Sequence, residues 1–226
     1  MTVAVEGLVV ARGVRAGLNG LLAPDASEWE KAPELLAALV PTPLEDQPSA
    51  YVQVAWARRH RGDVREVRVR SLVGKDGVAV RLDWVAANPQ RRIDDWNVYA
   101  DGCAVIFPAD GRSAEISTMG SARKPVEGWF WRAGTELPFQ VTARGLGTVE
   151  RAAEHGVRAR AQWDEGRWQV VLGRSLAADG VGLEVGGSVP VGFAVWSGAA
   201  KERAGLKSYS PAWCELRLGD TGASKR

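Results

Sequence analysis

Alternation of apolar and polar residues with period two runs through this chain, and it limits the possible folds more than any other feature. Val78, Val80, Leu82 and Trp84 fall on one face of an extended segment, with Ala79, Arg81 and Asp83 on the other. Val157, Ala159, Ala161 and Trp163 alternate with Arg158, Arg160 and Gln162; Trp168, Val170 and Leu172 alternate with Arg167, Gln169 and Val171. Asp164-Glu165-Gly166 joins these two runs, so the spacing predicts a hairpin with one wet face. Ser49–Trp56, Val64–Val73, Cys103–Phe107, Phe139–Ala143, Val189–Trp196 and Trp213–Leu218 are further predicted strands. Gly and Pro punctuate the intervals, as at Gly74, Asn88-Pro89, Gly111, Gly134 and Gly186-Gly187. Helical signal is thin. Ser27 and Glu30 form a capping-box pattern that Pro33 cuts to about one turn, and Arg91 to Trp96 offers another short turn. The expected fold is all-β, an antiparallel β-sandwich with a few short helices in its loops. Without a repeat or a linker, one domain is expected over residues 1–226, with its core at about 20–218 and a frayed tail from Gly219 to Arg226.

Charge excludes several classes of partner. Basic residues number 29 and acidic residues 27, too balanced for a nucleic-acid or anionic-membrane surface. Arg58, Arg59, Arg61, Arg65, Arg68 and Arg70 cluster locally, but some interleave with Val67 and Val69 as on the solvated face of a strand. No apolar stretch reaches the length of a membrane-spanning helix. The first twenty residues carry Glu6 and no continuous apolar run, so they do not read as a secretory signal. Cys103 and Cys214 stand outside any CxxC or CxxCH pattern, which removes support for zinc ribbons, cysteine-bound iron–sulfur clusters and covalent haem. A disulfide between them stays open. His60 and His155 lack metal-ligand spacing and read as surface residues.

Hydrolytic signatures are also missing. There is no GxSxG or HExxH, and the adjacent acids Asp94 and Asp95 are poorly placed to act as a catalytic pair. Two segments are more specific. The first contains Phe107-Pro108, Ile116-Ser117-Thr118-Met119-Gly120, Lys124-Pro125-Val126 and Trp129-Phe130-Trp131. The second contains Phe193-Ala194-Val195-Trp196-Ser197-Gly198 and Glu202-Arg203-Ala204-Gly205-Leu206-Lys207-Ser208-Tyr209-Ser210, and ends at Trp213. Each places a soft or basic donor in a Gly-bearing loop beside aromatic residues, and Met119 is the one methionine besides the initiator.

These segments resemble the γ subunits of ethylbenzene dehydrogenase and related type II molybdoenzymes. The similarity extends to Leu22-Ala23-Pro24, Pro41-Thr42-Pro43-Leu44, Gln47-Pro48-Ser49-Ala50-Tyr51 and Asn88-Pro89, and so covers most of residues 20–218. The resemblance implies a sandwich of the DOMON and family 9 carbohydrate-binding-module kind. It also implies one haem b with Met and Lys as axial ligands, which by motif are Met119 and Lys207. Trp131 and Trp196 are the expected pocket walls, from their nearness in sequence. Lys201 precedes Glu-Arg-Ala-Gly, whereas the motif places its ligand after that Gly; Lys124 lies too close to Met119 to reach the opposite side of an iron. A thioether favours ferrous iron, and a lysine ligates only as the neutral amine, which burial promotes.

The implied function is a non-catalytic electron-transfer subunit. Electrons would pass between the iron–sulfur β subunit of a complex whose molybdopterin α subunit does the chemistry and an external carrier such as a cytochrome c. Export to the periplasm beside a twin-arginine partner is the corresponding expectation, with a cytoplasmic complex as the alternative. Two other readings stay open. One is a haem-free module holding a carbohydrate or hydrophobic ligand on the faces of some of its ten Trp; the other is a haem-free structural subunit.

Overall fold

The alternating runs are spent on two sheets packed face to face. The coordinates, a computed structural model, describe residues 5–93, 98–135 and 137–220. In chain order the elements begin with β1 (Val5–Gly13), α1 (Leu18–Leu21), β2 (Leu35–Ala38), β3 (Val40–Pro41), α2 (Ala50–Trp56), β4 (Glu66–Val73) and β5 (Gly77–Val85). They continue with β6 (Gly102–Pro108), β7 (Val126–Arg132), β8 (Phe139–Ala143), β9 (Glu150–Arg151) and β10 (Arg158–Asp164). The last are β11 (Arg167–Ser175), β12 (Ser188–Trp196), β13 (Ser208–Tyr209) and β14 (Trp213–Leu218).

One sheet runs β10-β11-β5-β4-β1-β14, with β2 paired to β4; the other runs β12-β6-β7-β8-β9, with β13 and then β3 beyond β12. Strand β12 belongs to both. Ser188–Val191 pair with β14, and Gly192–Trp196 pair with β6, so the chain turns the corner of the sandwich within one strand. Pairing is antiparallel except at β1, which lies parallel to both β14 and β4.

Between the sheets lies a core fed by alternate residues: Val78, Val80, Leu82 and Trp84 from β5, Val170 and Leu172 from β11, and Phe193 and Val195 from β12. Trp131 meets Trp168 across the layers at 5.0 Å between ring centroids, and Phe107 meets Trp129 at 4.9 Å. The hairpin turn is Glu165-Gly166, both in the left-handed region (φ 46° and 79°), as a two-residue turn of this hand requires.

Two expectations need correction. The outer face of β5 and β11 is not wet, because α1 and the turns around Trp29 bury Ala79 and Val171 there. Arg81, on that face, donates to Pro24 O (2.9 Å) and stacks 5.6 Å from the Trp29 ring centre. The segment Ser49–Trp56 is not a strand. Its last seven residues form α2, because the Ser49 hydroxyl accepts from Val52 N–H and caps the helix, leaving Tyr51 and Val54 about 80% exposed. Ser49→Ala is expected to cost ~1 kcal/mol, read as a lower urea midpoint with an unchanged slope. The turn at Arg91 to Trp96 falls partly outside the described residues.

Cys103 and Cys214 are both buried and are not joined in a disulfide, and burial pushes the Cys103 thiol well up. His60 is exposed beside Asp63, at 3.7 Å. His155 is half-buried, and its Nδ1 has no partner. Among the described residues no helix is long and apolar enough to cross a membrane.

Candidate functional site

On the outer face of the second sheet lies a cavity of about 420 Å³, within the range that takes a small-molecule ligand. Strand register builds its floor. Trp196, Gly102 and Arg132 are adjacent across β12, β6 and β7; Ala194, Ala104, Phe130 and Phe139 form the next row. Ile106, Gly128 and Val141 follow, with Arg151 of β9 beyond them. Gly102, Ala104 and Gly128 keep that surface low, while Phe130 rises from it, edge-on to Trp196 at 5.1 Å.

Two loops stand over the floor. Met119 ends the turn after Ile116, donating its N–H to Ile116 O (3.1 Å) and accepting from Gly145 N–H (3.1 Å). It adopts φ 58°, a left-handed conformation that costs a non-glycine residue about 1–2 kcal/mol. Met119 is half-buried and lines the cavity.

Lys207 lines the same cavity from the other loop and is 4% exposed. Its loop is tied down by side chains far away in sequence. Thr42 donates both N–H and hydroxyl to Lys207 O, at 3.0 and 3.2 Å, and Gln47 Nε2 reaches Gly205 O at 3.3 Å. Trp196 Nε1 donates to Ala204 O at 3.0 Å. The carboxylate of Glu202 accepts from the N–H groups of Gly62, Asp63 and Ser197, and Asp101 accepts from Gly198. Burial raises the pKa of both acids. Gly198 passes so close to Tyr99 O that a Cβ there would lie at 1.8 Å.

The lysine amine makes no hydrogen bond or ion pair among the described residues; its nearest charge-stabilising neighbours are the Trp196 and Tyr209 rings, 5.9 and 6.0 Å away. Burial therefore draws its pKa down to about 8. Below pH 8 the folded and unfolded chains both hold the proton; between about 8 and 10.5 the unfolded chain alone retains it. Stability of the protein should thus rise with pH across that window, by up to ~3 kcal/mol. Lys207→Met, which cannot titrate, isolates the effect: urea melts at pH 7 and 10.5 should differ between the two proteins. Parallel profiles would show that the amine is hydrated.

Met119, Lys207 and Trp196 thus share one cavity, as expected, but Trp131 does not. The parity of β7 sends Trp129 and Trp131 into the core and Phe130 to the cavity. Phe130 is the wall that sequence proximity assigned to Trp131, and alternation with Gly128 and Arg132 was the available signal. Arg132, Arg151 and Arg203, which also line the cavity, carry no sequence mark of their own.

The fold is thus a β-sandwich with a cavity on the outer face of one sheet, between the loops that carry Met119 and Lys207. Residues 26–156 and 140–208 match the ethylbenzene dehydrogenase family, and the chain belongs to it. It is 30% identical over 199 residues to a respiratory nitrate reductase haem subunit of Haloferax mediterranei, covering 87% of this chain and 68% of that one. It is 31% identical to chlorate reductase subunit gamma of Ideonella dechloratans (86% and 79% covered). With dimethylsulfide dehydrogenase subunit gamma of Rhodovulum sulfidophilum identity is 27% (86% and 74% covered). Among solved structures, a family 9 carbohydrate-binding module of Caldicellulosiruptor kristjanssonii superposes with a TM-score of 0.53 at 7% identity, covering 97% of this chain and 100% of that one. That likeness bears out the sandwich fold.

Proposed function

We propose that this chain is a haem b-binding electron-transfer subunit of a molybdopterin oxidoreductase, holding the iron between Met119 and Lys207. The observation that carries the reading is a buried lysine without an ionic partner, facing the same aromatic-walled cavity as a methionine. The donor set fits the group. A thioether needs no deprotonation, and an amine already drawn toward neutrality by burial is ready to bind a metal. When bound, haem supplies a one-electron carrier, and the protein supplies donors, orientation and exclusion of water. Phe130 and Trp196 give the cavity an aromatic lining, while Thr42, Gln47 and Glu202 fix the loop that presents the amine.

The names of the relatives support the setting: two are gamma subunits of a reductase and a dehydrogenase, and one is a haem subunit. The proposed partners are an iron–sulfur β subunit and a molybdopterin α subunit, with an external carrier such as a cytochrome c. Adding ferric haem to the purified protein should give a one-to-one, six-coordinate low-spin spectrum. A Soret band no different from free haem would overturn the proposal and favour a module that binds its ligand on Trp faces.

A further inference from the structure

We propose that Arg132, Arg151 and Arg203 form a carboxylate-binding subsite of this cavity, which holds the two acid side chains of a porphyrin dicarboxylate; the assignment rests on the haem reading above. All three line the cavity, and none makes an ion pair among the described residues. That sets them apart from Arg70, Arg81, Arg144, Arg167 and Arg174, which all reach carboxylates. The Nε–H of Arg132 is buried and meets no acceptor, a condition that a bound anion relieves.

The other two are held by aromatic rings. Arg203 lies 4.4 Å from the Tyr99 ring centre and Arg151 lies 3.8 Å from that of Phe139. Arg203 Nη1 donates to Lys201 O at 3.3 Å; a guanidinium beside an aromatic ring still directs its remaining N–H groups to a carboxylate. Glu202 also lines the cavity, but its carboxylate is already committed to the three backbone N–H groups of Gly62, Asp63 and Ser197. The cavity therefore has spare, oriented donors of positive charge. An uncharged sugar would leave them unmatched; a dianion with two carboxylates uses them.

Esterification of the ligand separates this subsite from haem binding itself. Wild-type protein and Arg132→Gln, Arg151→Gln and Arg203→Gln variants are titrated with haem b and with its dimethyl ester. Wild type should prefer the diacid, and at least one variant should lose on the order of tenfold of that affinity. Ester affinity should stay unchanged, which also reports that the variants are folded. Diacid affinities unchanged in all three variants, with a normal low-spin spectrum, would overturn the subsite and leave the haem reading standing. A wild-type protein that binds neither ligand would overturn both.

Discussion

Haem bound to the Lys207→Ala protein is expected to lose most of its low-spin character. Alanine offers no donor, and the neighbours within reach of the lost amine are aromatic rings, Trp196 and Tyr209, which do not replace a nitrogen ligand. Ferric iron would be left with water or an open position and would shift to high spin. Met119→Ala removes a soft donor instead. Because a thioether stabilises ferrous iron, that variant should bind haem at a lower reduction potential as well as with a changed spectrum. Paired optical and redox titrations distinguish the two losses. Low-spin spectra identical to wild type in both variants would sink the ligand assignment, whatever the affinity.

The second large effect concerns stability. Arg174, fully buried on β11, reaches across the sandwich to Glu127 on β7 at 3.0 Å and also donates to the carbonyls of Asp179 and Val181. Glu127 accepts in addition from Trp129 Nε1 (3.2 Å) and Val181 N–H (2.8 Å). Gly180 crosses directly over the pair, where a Cβ would lie 2.2 Å from the guanidinium. Removing one partner of a buried pair costs about 3–5 kcal/mol, because the other charge is stranded. The two halves are not equivalent. Arg174→Met leaves a carboxylate that keeps two N–H donors, whereas Glu127→Leu leaves a buried guanidinium with two neutral carbonyls and no counter-charge, and orphans both donors. Glu127→Leu should be the more damaging, lowering Tm by roughly 10 °C or more. Equal losses of under 1 kcal/mol in urea melts would show that water reaches the pair.

Strands carrying one buried and one polar face were legible in the sequence. β8 and β14 have the predicted boundaries, and β12 starts one residue early. The segment Tyr51-Val52-Gln53-Val54 misled because short alternation cannot tell strand from helix, and the cap at Ser49 decided the matter. β1 escaped because it is spelled as a nearly continuous apolar run beside Glu6 and Gly7, and its pairing with β14 and β4 is a long-range property. At the cavity, Met119 and Lys207 are the lining residues that motif and chemistry single out in the sequence. Arg132, Arg151 and Arg203 are not, since what marks them is the absence of a carboxylate nearby, a fact created by tertiary packing.

The central place of β1 has a consequence for how the molecule is made. Residues 8–11 pair with residues 215–218, so a nascent chain holds an unfilled slot in its larger sheet until residue 218 has left the ribosome. Closure is then late and slow, as for other topologies dominated by distant contacts. Until it happens, the exposed flanks of β1 and β12 are open to strands from neighbouring chains, which makes the interval before completion the one in which a chaperone matters most.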